Sequence, residues 1–180
     1  MDYLRYYLNI VIMAVGILGF VLGGQWAWLG FGTFIALACA EFFTGMDTAN
    51  RHINHPWLAD VPIYLHLPMI IGLWVAFGWR LNIGFWDTSE ATGLTWLAIT
   101  GSLASVIWLS IVPNLPVAHE FLHRKSRHQL LIGRMMCAFF FDASRNYCHN
   151  AVHHAFYDTP RDSDTGRRGD TVYGFLPRCT

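Results

Sequence analysis

An all-α, polytopic transmembrane bundle is the fold class this sequence predicts, and three observations predict it. Hydrophobic residues make up 54% of the chain and charged ones only 13%, more apolar surface than a soluble core of 180 residues buries. Four apolar stretches, 6–24, 26–43, 61–79 and 94–112, come close to the roughly 20 residues that a helix needs to cross about 30 Å of hydrocarbon. Charge is also segregated, with most arginines after residue 120 and the first hundred-odd residues dominated by Leu, Ile, Val, Ala, Gly, Phe and Trp.

Taken in order, the first two stretches are separated only by Gly23, Gly24 and Gln25, which makes them a tight helical hairpin. No small-residue cleavage site lies between them, so the first is expected to stay as an anchor. Trp26, Trp28, Trp57, Trp79, Trp86 and Trp96 lie near the expected helix ends, where amphipathic rings favour the membrane interface. The third stretch carries His66. A polar group at membrane depth is a functional candidate, lining a channel, or else a hydrogen-bonding link to a neighbouring helix.

After the fourth stretch, Pro113-Asn114-Leu115-Pro116 predicts a break or kink. The apolar run 130–141 is too short to span and suits an interfacial or re-entrant helix. Residues 158–170, rich in Asp, Thr, Arg, Pro and Gly, predict a loop. The whole is one domain, 1–180, with transmembrane helices over 1–112 and a histidine-box region over 113–180. Four crossings with the N-terminus inside put Arg5, Arg51 and everything from Arg124 onward in the cytoplasm, leaving Arg80 outside, as the positive-inside rule requires. Glu41 and Asp47 then stand near Arg51 as candidate ion-pair partners, the alternative being an approach to a metal site on the same side. A formal net charge of zero gives no field for nucleic acid. Cys39, Cys137, Cys148 and Cys179 have no zinc or disulfide spacing.

Six of the nine histidines fall between His119 and His154. His119 and His123 are i and i+4, as are His149 and His153, with His154 adjacent. On a helix that spacing stacks two imidazoles on one face, where they can ligate one metal ion or flank a pair. His52, His55 and His128 fit loop or interface positions. The run His119-Glu120-Phe121-Leu122-His123 also satisfies the HExxH pattern of zinc proteases. Five neutral imidazoles exceed what one tetrahedral zinc uses, however, and imidazole-rich sites with open positions equally suit iron.

The stretch 119–175 resembles the first two histidine boxes of the integral membrane alkane hydroxylases and xylene monooxygenases, within the membrane fatty acid desaturase and hydroxylase superfamily. His119-Glu120-Phe121-Leu122-His123-Arg124 matches the first box. His149-Asn150, His153-His154, Thr159-Pro160, Asp162, Thr165, Arg167, Gly169, Tyr173 and Phe175 match the second box and its sequel, and Phe141-Asp142-Ala143-Ser144 is similar to the xylene-type members. The resemblance implies a non-haem di-iron centre with His119, His123, His149, His153 and His154 as iron ligands, and Glu120 as the catalytic carboxylate, hydrogen-bonded at the centre. It implies O2-dependent hydroxylation of an unactivated C–H bond in an apolar, membrane-partitioned substrate, electrons from a rubredoxin-like or ferredoxin-type donor, and residence in a bacterial inner membrane. Asp162, Arg167 and Tyr173 would shape the loop that presents the second box.

Cys148 departs from the pattern by standing where a Glu is expected, and such a loss weakens metal affinity if that Glu supports a ligand. The family's third box, HxxHH, is absent from these 180 residues, so the expectation is a C-terminally truncated chain that does not hydroxylate unaided. The alternatives are a fatty acyl desaturase on the same scaffold, although those usually carry HxxHH as the second box, an HExxH zinc protease, and an inert remnant.

Overall fold

The computed structural model describes residues 3–46, 48, 54–86, 89, 94–162 and 164–178, with the backbone alone at 85, 86 and 178. Every described element is helical. The chain divides into two compact units, Met1–Val117 and Ala118–Thr180.

The first unit contains α1 (Leu8–Leu22), α2 (Leu29–Thr44), α3 (Pro56–Trp86) and α4 (Trp96–Ile111), with 3-10 turns at Leu4–Tyr7 and Gly24–Trp28. Leu4–Leu22, Gly24–Thr44, Pro56–Gly84 and Trp96–Leu122 are four helices long and apolar enough to cross a membrane, as the sequence predicts. Two boundaries differ. The third helix outruns 61–79 at both ends because Pro56 takes its first position, where a missing N–H loses no partner, and because Pro62 and Pro68 are absorbed within it. Pro62 deprives the Leu58 carbonyl of its helical donor, and the Tyr7 hydroxyl donates to that carbonyl at 3.3 Å. The fourth span does not stop at Pro113. Val112 and Pro113 make a turn, and α5 (Asn114–Leu122) continues, with Pro116 in its first turn, where helical N–H groups lack partners anyway. The Pro-Asn-Leu-Pro run is therefore a kink.

The chain reverses between α1 and α2 at Gly23, whose φ of 72° is strained for any residue with a Cβ. The reversal is close: a Cβ on Gly19 would lie 2.6 Å from the Trp26 carbonyl oxygen. Arg80 is 6% exposed and packs its guanidinium over Gly23, at the carbonyl end of α1 that favours a cation. Helix α1 packs on α2, α3 and α4, and α2 on α4. Small residues allow this, since a Cβ on Gly30 would meet that of Ser105 at 2.7 Å. The Ser105 hydroxyl donates to the Ala27 carbonyl at 2.6 Å and accepts from the Phe31 N–H at 2.9 Å. Close packing and interhelical hydrogen bonds are what hold spans together where lipid removes the hydrophobic drive. Leu18, Ile35, Val75, Leu103 and Ile107 face outward, as lipid-facing residues do.

His66, on α3, is fully buried. Its Nδ1 accepts from Asn9 Nδ2 at 3.0 Å and its Nε2 donates to Asn114 Oδ1 at 3.1 Å. An amide nitrogen only donates and an amide oxygen only accepts, so the ring is the Nε2–H tautomer with both nitrogens satisfied. Of the two readings of this residue, the hydrogen-bonding link between helices is the one observed.

The second unit holds α6 (Arg127–Ala138), α7 (Arg145–Tyr147), a π-helical turn (Cys148–His153), α8 (His154–Phe156) and α9 (Val172–Phe175). The short helix expected over 130–141 begins three residues earlier, after an extended Ser126. It ends where the Asp142 N–H returns to the Cys137 carbonyl at 3.2 Å and Phe141 turns left-handed, φ 61°, a position usually held by glycine. Gly133 brings α6 against the last turn of α5, since a Cβ there would lie 2.9 Å from that of Phe121. His55 and His128 are exposed. Asp47, Arg51, His52 and Cys179 lie outside the described residues, as does the ion pair expected of Arg51.

Candidate metal centre

His119 stands in the last turn of α5 and His123 just beyond it, and the i, i+4 pair meets as its spacing predicts, with Nε2 atoms 2.5 Å apart. The second box leaves α-helical register. Cys148–His153 is π-helical, and i→i+5 bonding brings His154, rather than His153, back over His149. His154 Nε2 lies 3.1 Å from His149 Nε2, which lies 3.2 Å from His123 Nε2. One donor atom from each of His119, His123, His149 and His154 falls within 4.8 Å of all the others. Asn150 joins the two boxes: its Nδ2 donates at 3.0 Å to the Leu122 carbonyl, a group at a helix end that lacks an intrahelical donor.

The donor set fits a transition-metal ion. Imidazoles around one ion at a metal–nitrogen distance of about 2.1 Å have nitrogens roughly 3.0–3.4 Å apart, a window that includes the two distances from His149, while the 2.5 Å between His119 and His123 is below it, so those two rings part slightly to admit an ion. Burial first, then the neighbouring rings of His119, His154, His123 and His153, push the His149 imidazole down to about 4. That ring is neutral at pH 7, the form in which imidazole ligates a metal.

His153 is set apart from the four. Its ring stacks on His149 with centroids 5.2 Å apart, while Nδ1 turns to Asp162 Oδ1 at 2.9 Å. Burial alone would raise the Asp162 carboxyl, but hydrogen bonds from Thr165, His153 and the amides of Asp164 and Asp158 hold it well below the usual carboxylate range. Asp164 Oδ2 stands 3.8 Å from His149 Nδ1 and 3.7 Å from Arg145, which binds Asp142 at 2.6 Å. The loop thus sets a carboxylate beside each of two second-box rings. Sequence reasoning placed Asp162 in the loop and passed over Asp164 and the bridging amide of Asn150; the Asp-x-Asp spacing after the box was the available signal.

Glu120 is half exposed and pairs with Arg124 at 3.2 Å. The Arg167 N–H binds Asp170 at 2.7 Å, closing the loop, whereas Tyr173 is 89% exposed.

No family model matches the chain and no solved structure matches it. Among characterised proteins, it is 39% identical over 180 residues to the xylene/toluene monooxygenase hydroxylase component XylM of Pseudomonas putida, covering all of this chain and 47% of that relative. It is 29% identical over 126 residues to alkane 1-monooxygenase 1 of Pseudomonas aeruginosa and 27% identical over 113 to alkane 1-monooxygenase 2 of the same organism, covering 68% and 63% of this chain and 28% of each relative. The chain thus spans less than half the length of these relatives. Four membrane-length helices, a convergent histidine cluster and an alignment that runs end to end lead to one conclusion: this is an integral membrane protein that belongs to the alkane hydroxylase and xylene monooxygenase family.

Proposed function

We propose that the chain carries part of a non-haem di-iron centre that hydroxylates an unactivated C–H bond of an apolar substrate, an alkane, alkyl-aromatic or lipid-like molecule, with O2. The observation that carries this reading is the convergence of the imidazole nitrogens of His119, His123, His149 and His154. Bound iron supplies the oxygen chemistry that no side chain can perform. The residues do the rest. The four imidazoles present neutral lone pairs to one point, Asn150 fixes one box to the other, and His153 offers a fifth ring held by Asp162. Glu120, paired with Arg124, braces the turn between His119 and His123. An imidazole-only set suits iron at least as well as zinc. The alignment with a hydroxylase component also supports a separate electron-carrying partner of rubredoxin-like or ferredoxin type.

The N-terminus and the histidine boxes face the cytoplasm, in a bacterial inner membrane, on the strength of the arginine distribution. An impermeant thiol reagent applied to intact cells should leave Cys148 unmodified, and efficient labelling would overturn this orientation.

The catalytic reading is tested by joining this chain to the remaining half of the P. putida relative, supplying iron, O2 and an electron-transfer pair, and measuring bound metal and alcohol from alkanes and alkylbenzenes. Stoichiometric iron and alcohol, both lost in His149→Ala, are expected. Alkene in place of alcohol would favour the desaturase; zinc with Glu120-dependent peptide cleavage would favour the protease.

A further inference from the structure

We infer that Asp162 is a positioning residue for His153, fixing which nitrogen of that ring can ligate and so tying the folding of the 158–165 loop to metal binding. The inference rests on the metal-centre reading above and adds a residue and a linkage to it.

Asp162 is a buried carboxylate, its side chain shut off from solvent. Oδ1 accepts from His153 Nδ1 at 2.9 Å and from the Asp164 N–H at 2.9 Å. Oδ2 accepts from the Asp158 N–H at 3.2 Å and from the Thr165 hydroxyl. Three of the four donors belong to the loop that leaves the second box, and the fourth is a box histidine. A carboxylate that only accepts forces His153 to carry its proton on Nδ1. Its Nε2 is thereby left as a bare lone pair, the tautomer and ring orientation that a metal-binding imidazole takes when its far nitrogen is held by a carboxylate.

The same atom set folds the loop. Asp158 is in the left-handed region, φ 58°, where a residue with a side chain is strained, and its N–H is held there by Asp162. Since one carboxylate serves both the loop and the ring, whatever favours ligation by His153 favours the closed loop, and the converse follows by reciprocity.

The test uses the full chain in detergent or nanodiscs with cobalt(II) as a spectroscopic probe of the histidine site, and hydrogen exchange of residues 158–165 as a readout independent of activity. Asp162→Asn should weaken cobalt binding about 10- to 100-fold, the range for losing a ligand's hydrogen-bonding partner. Cobalt should slow exchange in the loop of the unsubstituted chain and not in that of Asp162→Asn. Because Asp162 acts through His153, the substitution should have little further effect on affinity in a His153→Ala background, a non-additive cycle. Thr165→Val, which removes one loop bond and spares the carboxylate–imidazole pair, should loosen the loop with a much smaller loss of affinity.

Cobalt affinity unchanged in Asp162→Asn, effects that add fully with His153→Ala, or an equal loss in Thr165→Val would each reduce Asp162 to a loop staple and overturn the inference while the metal reading stands. An unsubstituted chain that binds no cobalt would instead overturn the metal reading, and this linkage with it.

Discussion

His66 and His149 are both buried imidazoles, and the two regions that hold them treat their nitrogens in opposite ways. Among the spans, His66 meets one amide donor and one amide acceptor from Asn9 and Asn114, so the ring is complete and ties helices together. In the box region, Nε2 of His149 faces the Nε2 atoms of His123 and His154. Two such nitrogens pair only where one ring is the Nε2–H tautomer; with every ring protonated at Nδ1, the lone pairs converge on one spot and leave it short of a cation. Burial therefore does not distinguish the structural histidine from the proposed metal ligand. What the second nitrogen finds does.

The largest effect that sharpens this contrast is in metal content. His149→Ala removes the ring that touches both neighbours, and metal affinity should fall by more than the roughly 100-fold at the top of the range for supporting residues, while His66→Ala should leave it unchanged. Metal analysis of the two purified variants checks this, and equal losses would erase the distinction. In thermal unfolding the order inverts. His66→Ala removes the ring that bonds the buried Asn114 amide and the half-buried Asn9 amide and should destabilise by about 2 kcal/mol, beyond the effect of His149→Ala in metal-free protein.

Packing gives a comparable figure. Gly30→Val forces branched bulk onto Ser105, 2.7 Å from where a Cβ would sit, and should destabilise by about 1–3 kcal/mol without touching metal affinity. Asn150→Ala removes two hydrogen bonds, to the Leu122 carbonyl and to Asn146 Oδ1, and should cost about 1–2 kcal/mol; it also separates the boxes, so metal affinity should fall several-fold alongside. A stability change with no affinity change would mean that the boxes hold their places without it.

The smallest expected effect is a slope with pH. His149 is depressed to about 4, so below an ordinary histidine's value of about 6.5 the unfolded chain takes up a proton that the folded one refuses. Stability of the metal-free protein should be flat above that pH, decline as pH falls toward 4, and level off below. The decline should be shallower in His149→Ala, and an unchanged profile would remove His149 as its source.

The class of the fold was legible because a bilayer imposes length and hydropathy on each span, properties that a linear reading captures. The first box was legible for a similar reason, since i, i+4 is a local rule and α5 obeys it. Cys148 looked like the loss of a supporting carboxylate, yet the loop sets Asp162 and Asp164 beside the His153 and His149 rings. A partner that comes from ten or so residues downstream through a turn has no periodicity to betray it.

The sequence by itself determined that this chain crosses a membrane and that a set of histidines with metal-ligand spacing follows the fourth span, because apolar length and donor type are properties of residues. Only the tertiary structure decided which histidines converge. The π-turn at Cys148–His153 shifts the register by one residue, selecting His154 over His153 and handing His153 to Asp162. Backbone register depends on hydrogen bonds made across the fold, such as Asn150 to the Leu122 carbonyl, and no spacing rule applied to the box alone contains them.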